Sequence, residues 1–282
     1  MYRLIRDTDQ RDKSEHLNRR LFIQRFVLVL GIYPQAIRLL GQSALGAGQL
    51  GSDNIESADL KYPGDGATLH GYLSRPKEKG PFPGVIIVHH NGGFTEHFRG
   101  VARRLASQGY SALAVDLLSR QGGTGAFATS DAITKAFQKV KDEVMISDLD
   151  AAYQYMNSNS VVKKDDIAIM GFAAGAQKTF LYVTTNPKLK AAVIYYGSAP
   201  PDDKLARIQC PVLEIVGDKD PRFAPAIPVV QEKMKQLGKS YEWKEYPGAD
   251  HNFFDDTDER YNEAAAKESW TVVLEFLKRN LG

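Results

Sequence analysis

Three short segments carry residue types that together could perform acyl-transfer chemistry, and the first contains Ala173. Residues 166–177 consist of an alternating β-branched run that ends at Gly171 and passes directly into a helix-forming segment. A sharp strand–turn–helix lifts its central side chain above the edge of a sheet, where a Ser or Cys nucleophile is expected. The central residue is Ala173, whose methyl group cannot attack a carbonyl. The pattern therefore predicts a nucleophile position without a nucleophile.

Two later segments supply the other groups of such a site. Asp220 lies in residues 216–221, after a predicted strand, and His251 lies in residues 246–253, after the last predicted strand. The carboxylate would fix the tautomer of the imidazole, and the imidazole would carry a proton from nucleophile to leaving group. A lone Asp or His is more often structural. Because the three positions occur in this order, we predict a triad of Ala173, Asp220 and His251, with Ala173 as the altered member.

An oxyanion hole is expected from two backbone amides. One belongs to Ala174, which follows the nucleophile position, and the other lies near Asn91, just after an early buried strand. Gly92 and Gly93 would let a substrate approach the backbone closely. Asn–Gly–Gly is also a common loose turn, but this one lies at the carboxyl end of its strand, where open α/β sheets bind ligands.

Histidines at positions 89, 90, 97 and 251 raise the question of a metal site. His89 and His90 are adjacent on a predicted strand, so their side chains point to opposite sides and can hardly share one ion. We therefore predict no metal and no cofactor. The single cysteine, Cys210, excludes an internal disulfide and is interpreted as a small core residue.

From residue 51 onward, predicted strands and helices alternate, which is typical of a mainly parallel sheet. The pattern predicts an opening hairpin (57–62 and 67–74), a sheet of about seven to eight twisted strands, and helices on both faces. The later strands are expected at residues 84–89, 111–115, 166–171, 190–196, 212–216 and 241–246. The principal helices are expected at residues 96–108, 143–156, 176–183, 225–237 and 261–281.

Residues 1–50 differ from the rest and are interpreted as an N-terminal helical extension, with the α/β domain at 51–282. Arg19 and Arg20 precede an apolar run and resemble a degenerate twin-arginine export signal, although Arg25 and Pro34 interrupt that run. The alternative is a helix pair that packs on the domain or on a second subunit. We favour this alternative and a cytoplasmic location, with export to the periplasm left open.

The amino-acid composition of the chain limits the kinds of binding partner that we expect. The chain has 282 residues, of which 25% are charged and 43% are hydrophobic, and its formal net charge is +2. These values are typical of a soluble globular protein and favour neither nucleic acid binding nor an acidic tail. Because no run of 18 apolar residues occurs, we predict no membrane span. The N-terminal and C-terminal helices could support a homodimer.

The domain resembles the dienelactone hydrolase family of α/β-hydrolases from about residue 55 to residue 281. The similar stretches are residues 88–93, 115–123, 171–175, 246–253 and 260–266. The resemblance implies an α/β-hydrolase fold and a Cys–His–Asp triad that cleaves esters or lactones of small, often carboxylated, molecules. It also implies that Arg120 faces the substrate.

Three positions depart from the family pattern. The nucleophile position is Ala173, the position that usually carries a glutamate is His90, and no arginine follows His251 in residues 252–255. We expect His90, Phe94 and Phe253 to contact substrate together with Arg120. Phe94, Phe253 and Phe254 indicate a more apolar pocket than a carboxylated lactone would need.

Two functional interpretations remain open at this point. In the first, the chain is a hydrolase of small esters or lactones whose nucleophile was replaced by Ala173, through engineering or natural loss. In the second, it is a non-hydrolytic protein on the same scaffold. That protein would be either a His-dependent isomerase, lyase or cyclase, with His251, alone or together with His90, moving protons, or a ligand-binding pseudoenzyme.

Overall fold

An eight-stranded sheet forms the centre of the computed structural model, which describes residues 54–282. Its strands are β1 Ile55–Gly64, β2 Ala67–Pro76, β3 Phe82–Val88, β4 Ser111–Asp116, β5 Val162–Phe172, β6 Ala191–Tyr195, β7 Val212–Gly217 and β8 Tyr241–Tyr246. Their order across the sheet is β1-β2-β4-β3-β5-β6-β7-β8. The β1–β2 and β2–β4 pairs are antiparallel, and all other pairs are parallel. The predicted α/β-hydrolase fold is therefore confirmed.

Helices cover both faces of this sheet. They are α1 Glu96–Ala106, α2 Ser130–Gln138, α3 Asp142–Ser158, α4 Ala174–Val183, α5 Asp202–Leu205, α6 Ile227–Gln236 and α7 Glu263–Asn280. Buried side chains of α3, α4 and α6 form a core against one face, and those of α1 and α7 form a second core against the other. None of the helices in residues 54–282 combines the length and apolarity that crossing a bilayer requires.

The central strands are apolar on both sides because both faces of the sheet are covered. In β5, Ile167 and Ile169 belong to the first core, whereas Ala168 and Met170 belong to the second. This continuous apolar pattern is typical of a buried parallel strand. It carries the chain directly to the elbow at Ala173.

The structure differs from the sequence-based element assignments mainly in the connections. The strand β5 begins at Val162, four residues before the predicted start. Helix α2 lies between the helices predicted at 96–108 and 143–156, where no helix was predicted, and Thr129 caps it by accepting a hydrogen bond from the Ala132 amide at 3.2 Å. The predicted N-terminal extension, residues 1–50, lies outside the described residues.

Candidate active site

The junction of β5 and α4 has the geometry of a strained elbow. Ala173 lies between the two elements with φ 51° and ψ −120°. This region of backbone space disfavours residues with a Cβ by about 1–3 kcal/mol, so the surrounding structure must hold it. The Ala173 amide donates to the Tyr195 carbonyl at 3.0 Å, and its carbonyl accepts from the Gln177 amide at 3.1 Å. The predicted turn is therefore present at Ala173.

Two glycines allow α4 to start this close to the sheet. A Cβ at Gly171 would lie 2.2 Å from Thr179 Oγ1, and a Cβ at Gly175 would lie 2.0 Å from the His89 carbonyl oxygen. Any other residue at Gly175 would push the helix away from the end of β3. The close approach brings the first turn of α4, with the Ala174 amide, beside the loop that contains Asn91.

Asp220 and His251 form a hydrogen-bonded pair, as predicted from their order in the chain. His251 Nδ1 donates to Asp220 Oδ2 at 2.6 Å, and the Asp220 side chain is completely buried. The other carboxylate oxygen, Oδ1, accepts from the amide and Nε of Arg222 at 3.1 and 3.2 Å. These bonds hold the carboxylate so that it fixes the proton of His251 on Nδ1, which leaves Nε2 as a base.

Two aromatic rings enclose the His251 imidazole. Phe223 stacks on it with a centroid distance of 5.5 Å, and Tyr196 meets it edge-on at 5.0 Å. About 10% of the His251 side chain remains exposed, and within residues 54–282 no group is hydrogen-bonded to Nε2. Burial lowers the pKa of His251 from its ordinary value, and this outweighs the opposite effect of Asp220. The imidazole is therefore neutral near pH 7 and able to accept a proton.

The carboxyl end of β6 connects the elbow with His251. Tyr195 accepts the hydrogen bond from the Ala173 amide, and the next residue, Tyr196, contacts the His251 ring. Tyr196 is buried and has a positive φ of 41°. Ala173 and His251 are thus brought to the same edge of the sheet through two consecutive residues.

The loop after β3 is a tight turn from His90 to Gly93. The His90 carbonyl accepts from the Gly93 amide at 3.1 Å, and the Gly92 amide donates to His90 Nδ1 at 2.9 Å. No acceptor is found for the Asn91 amide among the described residues. The Ala174 amide lies in the first turn of α4, where helices leave N–H groups without an intrahelical partner. Both amides predicted for the oxyanion hole are consequently available.

His90 does not present a free nitrogen to a substrate. Its Nε2 lies 3.3 Å from Asp255 Oδ2, and its Nδ1 accepts from Gly92. Both ring nitrogens are hydrogen-bonded within the protein, and the expected contact of His90 with substrate stays a prediction.

Phe253 and Arg120 also differ from their predicted roles. The Phe253 side chain is fully buried among Tyr195, Tyr196 and Tyr246, so it belongs to the core rather than to a pocket wall. The Arg120 guanidinium binds Asp148 through Nε and through an Nη nitrogen, the latter at 2.8 Å, so its charge is paired within the protein. Sequence alone did not reveal these partners, which come from distant elements.

Phe94 lines a cavity of about 540 Å³ beside the β1–β2 end of the sheet. Its ring stacks under the Arg99 guanidinium at 4.6 Å. The residues lining this cavity include Gly123 and Thr124 but neither Ala173 nor His251. The structure therefore places Phe94 just after the turn of residues 90–93, at the wall of a cavity that neither Ala173 nor His251 lines.

His89 and His97, the other histidines considered as metal ligands, have different hydrogen-bond partners. His89 Nδ1 donates to the His90 carbonyl, and its Nε2 accepts from the Leu117 amide at 3.0 Å. His97, Asp255 and Asp256 offer ligand atoms within 4.8 Å of one another, which could hold a cation. Within this group His97 Nδ1 lies 3.0 Å from Asp256, and Asp255 Oδ1 accepts two bonds from Thr257. His97 Nε2 is buried and has no hydrogen-bond partner among the described residues.

Sequence reasoning missed four residues that shape the site: Tyr196, Arg222, Phe223 and Asp255. A signal existed for Tyr196, because it directly follows a buried strand at the edge that carries the other site residues. Phe223 and Arg222 lie within three residues of Asp220 in a loop without periodicity, so nothing in the sequence indicated where their side chains point.

Comparisons with known proteins agree with this architecture. A model of the "Dienelactone hydrolase family" matches residues 69–281. The "Putative carboxymethylenebutenolidase" of Methylorubrum extorquens is 30% identical over 240 residues, which cover 81% of this chain and 82% of that protein. The "Probable 2-oxo-3-(5-oxofuran-2-ylidene)propanoate lactonase" of a Bradyrhizobium species is 30% identical over 229 residues, which cover 77% of this chain and 92% of that protein.

A solved structure gives the same result. The crystal structure of a "Putative Dienelactone Hydrolase" from Klebsiella pneumoniae superposes with a TM-score of 0.74 at 31% identity. The match covers 79% of this chain and 98% of that one. The chain therefore belongs to the dienelactone hydrolase family of hydrolases.

Proposed function

We propose that this chain binds a small ester or lactone at the elbow and that Ala173 occupies the nucleophile position of a triad with His251 and Asp220. The observation that carries the proposal is the backbone of Ala173, which has φ 51° and is bonded to Tyr195 at the end of β6, whose neighbour Tyr196 contacts the His251 ring. An alanine has no intrinsic reason to adopt this conformation. A turn built to present a reactive side chain accounts for it.

With Ser or Cys at position 173, the site would follow a two-step acyl transfer. His251 Nε2 would take the proton of the nucleophile, which would attack the carbonyl carbon and form a tetrahedral oxyanion. The amides of Ala174 and Asn91 would donate to that oxyanion, and protonated His251 would then give its proton to the leaving oxygen. Water would release the acyl group by the same steps.

With Ala173, this covalent route is closed, while the proton-transfer pair and the amide donors remain. The chain as it stands would hold an ester or lactone and hydrolyse it slowly, by direct attack of water. Enzymes of other folds that use the same triad chemistry retain about 10³–10⁴-fold catalysis over water when a triad member is removed. Engineering and natural loss of the nucleophile both lead to the same protein and the same prediction.

We infer that the substrate is a neutral lactone or ester. The names of the relatives include a carboxymethylenebutenolidase and a furanylidene propanoate lactonase, whose substrates carry a carboxylate. In this chain Arg120 is bound to Asp148, and Arg222 is bound to Asp220. Because each guanidinium already faces a carboxylate of the protein, its positive charge is partly offset, which favours a substrate without a carboxylate.

A second candidate function is non-hydrolytic proton transfer, which is favoured because His251 is neutral and residue 173 is an alanine. An imidazole with an unbonded Nε2 can abstract a proton from a bound ligand without covalent catalysis, as an isomerase, lyase or cyclase requires. Both functions are tested by assaying the unmodified chain and its Ala173→Ser and Ala173→Cys variants on activated esters and lactones. Restored hydrolysis that needs His251 supports the hydrolase proposal. Silence of both folded variants contradicts it and favours the second function.

A further inference from the structure

A chain of hydrogen bonds runs from the loop that follows His251 to the turn after β3. Asp255 Oδ1 accepts from the amide and the hydroxyl of Thr257, at 2.9 and 2.6 Å. Its second oxygen, Oδ2, lies 3.3 Å from His90 Nε2, and the Gly92 amide donates to His90 Nδ1 at 2.9 Å. The chain therefore connects Thr257, Asp255, His90 and Gly92.

The chemistry of the two ends fixes the direction of every bond. A backbone amide can only donate, so His90 Nδ1 must be without a proton. A carboxylate can only accept, so His90 Nε2 must carry one. Burial opposes the ionisation of Asp255, but hydrogen bonds from His90 and Thr257 and the nearby His97 lower its pKa to about 2, which keeps it a carboxylate. His90 is thus held as the neutral tautomer with its proton on Nε2.

This tautomer holds the turn in shape. The His90 ring folds over the turn so closely that a Cβ on Gly92 would lie 2.5 Å from His90 Cε1. The Gly92 amide is bound by the ring, and the Gly93 amide is bound by the His90 carbonyl. The amide that remains available is that of Asn91, which the proposed function assigns to the oxyanion hole.

We propose that Asp255 is a positioning residue that fixes the tautomer of His90, and that this tautomer orients the turn presenting the Asn91 amide. The loop that follows His251 and the turn of residues 90–93 are thereby coupled through the proton on His90 Nε2. The catalytic part of this inference rests on the proposed function, whereas the tautomer itself does not.

The variant Asp255→Asn tests the coupling at nearly constant volume. The two donors of Thr257 require an oxygen at the Oδ1 position, so the new amide group would face His90 Nε2. Because the Nε2–H of His90 would then oppose the N–H groups of this amide, we expect the proton to move to Nδ1. A proton on Nδ1 opposes the Gly92 amide, so that bond breaks and the turn is released. Asp256→Asn is the matched control, because Asp256 is 62% exposed and contacts His97 but not His90.

The first readout is NMR of protein labelled with ¹⁵N at histidine, in which protonated and unprotonated ring nitrogens give distinct signals. The signals of His90 are identified by their loss in His90→Asn. We expect a proton on Nε2 in the parent chain and in Asp256→Asn, and a changed tautomer in Asp255→Asn. A proton on Nδ1 in the parent overturns the proposal even if no variant folds. An unchanged tautomer in Asp255→Asn overturns it as well.

The second readout is hydrolysis in the Ala173→Ser background. We expect Asp255→Asn to lower kcat about tenfold or more with little change in KM, since the oxyanion forms only after binding, and Asp256→Asn to leave both unchanged. An unchanged kcat alongside a changed tautomer contradicts the link to the Asn91 amide. If Ala173→Ser is inactive, the proposed function fails, and the NMR result alone decides whether Asp255 fixes His90.

Discussion

His251 Nδ1 lies 2.6 Å from Asp220 Oδ2, although the two residues are 31 positions apart and follow different strands. The carboxylate is completely buried and is held from its other side by Arg222. A buried acid that bonds one nitrogen of a histidine leaves the other nitrogen with the character of a base.

The acid limb of the activity profile should report His251. Burial lowers the pKa of His251, so in an Ala173→Ser variant the basic form should persist below pH 6.5. We expect kcat/KM to be constant above that pH and to fall only at lower pH, as the imidazole becomes protonated. An acid limb centred above pH 6.5 would contradict this account.

Asp220→Asn should lower activity by disturbing the orientation of His251 while the domain stays folded. The amide cannot accept the Nδ1 proton in the same way, so His251 loses both its fixed tautomer and its charge partner. We expect kcat in the Ala173→Ser background to fall about 10²–10⁴-fold while far-ultraviolet circular dichroism stays unchanged. A folded variant that retains full activity would show that the pair does not act in catalysis.

The elbow strain should be measurable as stability. Glycine adopts φ 51° without steric cost, whereas Ala173 does not. Because glycine also raises the entropy of the unfolded chain, we expect Ala173→Gly to increase the free energy of unfolding by only about 1 kcal/mol. Urea denaturation of the two proteins checks this value. A destabilised Ala173→Gly would show that the turn is not strained at Ala173.

The approach of α4 to β3 should tolerate nothing larger than glycine. A Cβ on Gly175 would lie 2.0 Å from a backbone oxygen, while a Cβ on Gly125 would meet no atom within 4 Å. We expect Gly175→Ala to lower the free energy of unfolding by at least about 2 kcal/mol and Gly125→Ala to change it by less than about 0.5. Equal effects of the two substitutions would contradict the close packing at the elbow.

Glu214 should lower the free energy of unfolding as the pH rises from about 4.5 to about 8. It is buried in β7, accepts from the Tyr241 hydroxyl at 2.6 Å, and burial raises its pKa to about 8. Between the unfolded pKa near 4.5 and this value the folded state holds a proton that the unfolded state lacks, so stability falls as pH rises.

Glu214→Gln should remove this dependence. The stability advantage of the variant should be small at pH 4 and widen by up to about 1.4 kcal/mol per pH unit toward pH 8. Thermal unfolding at several pH values measures it. A difference that is independent of pH would show that Glu214 is ionised in the folded protein.

Some of this architecture could be predicted from sequence and some could not. The strands, the elbow and the order of Asp220 and His251 follow from local patterns, because a buried parallel strand and a glycine-flanked turn leave a signature in consecutive residues. Arg120 pairs with Asp148, which is 28 residues further along the chain. Phe253 is buried because three tyrosines from other elements pack around its ring. No local pattern encodes such partners.

The His90–Asp255 bond is the clearest case of this limit. The two residues are 165 positions apart, and each looked unremarkable or misleading in its own segment. The sequence predicts a substrate contact for His90 from the family position that it occupies, but it gives no sign of the bonds to Asp255 and Gly92. Only the three-dimensional structure brings these loops together.

The most direct test is hydrolysis of activated short-chain esters and lactones by the parent chain, Ala173→Ser and Ala173→Cys, each with and without His251→Ala. We expect at least one variant to gain about 10³-fold or more over the parent and His251→Ala to abolish the gain. If both variants fold, bind ligand and remain as slow as the parent, then position 173 is not the nucleophile position and the proposed triad is wrong.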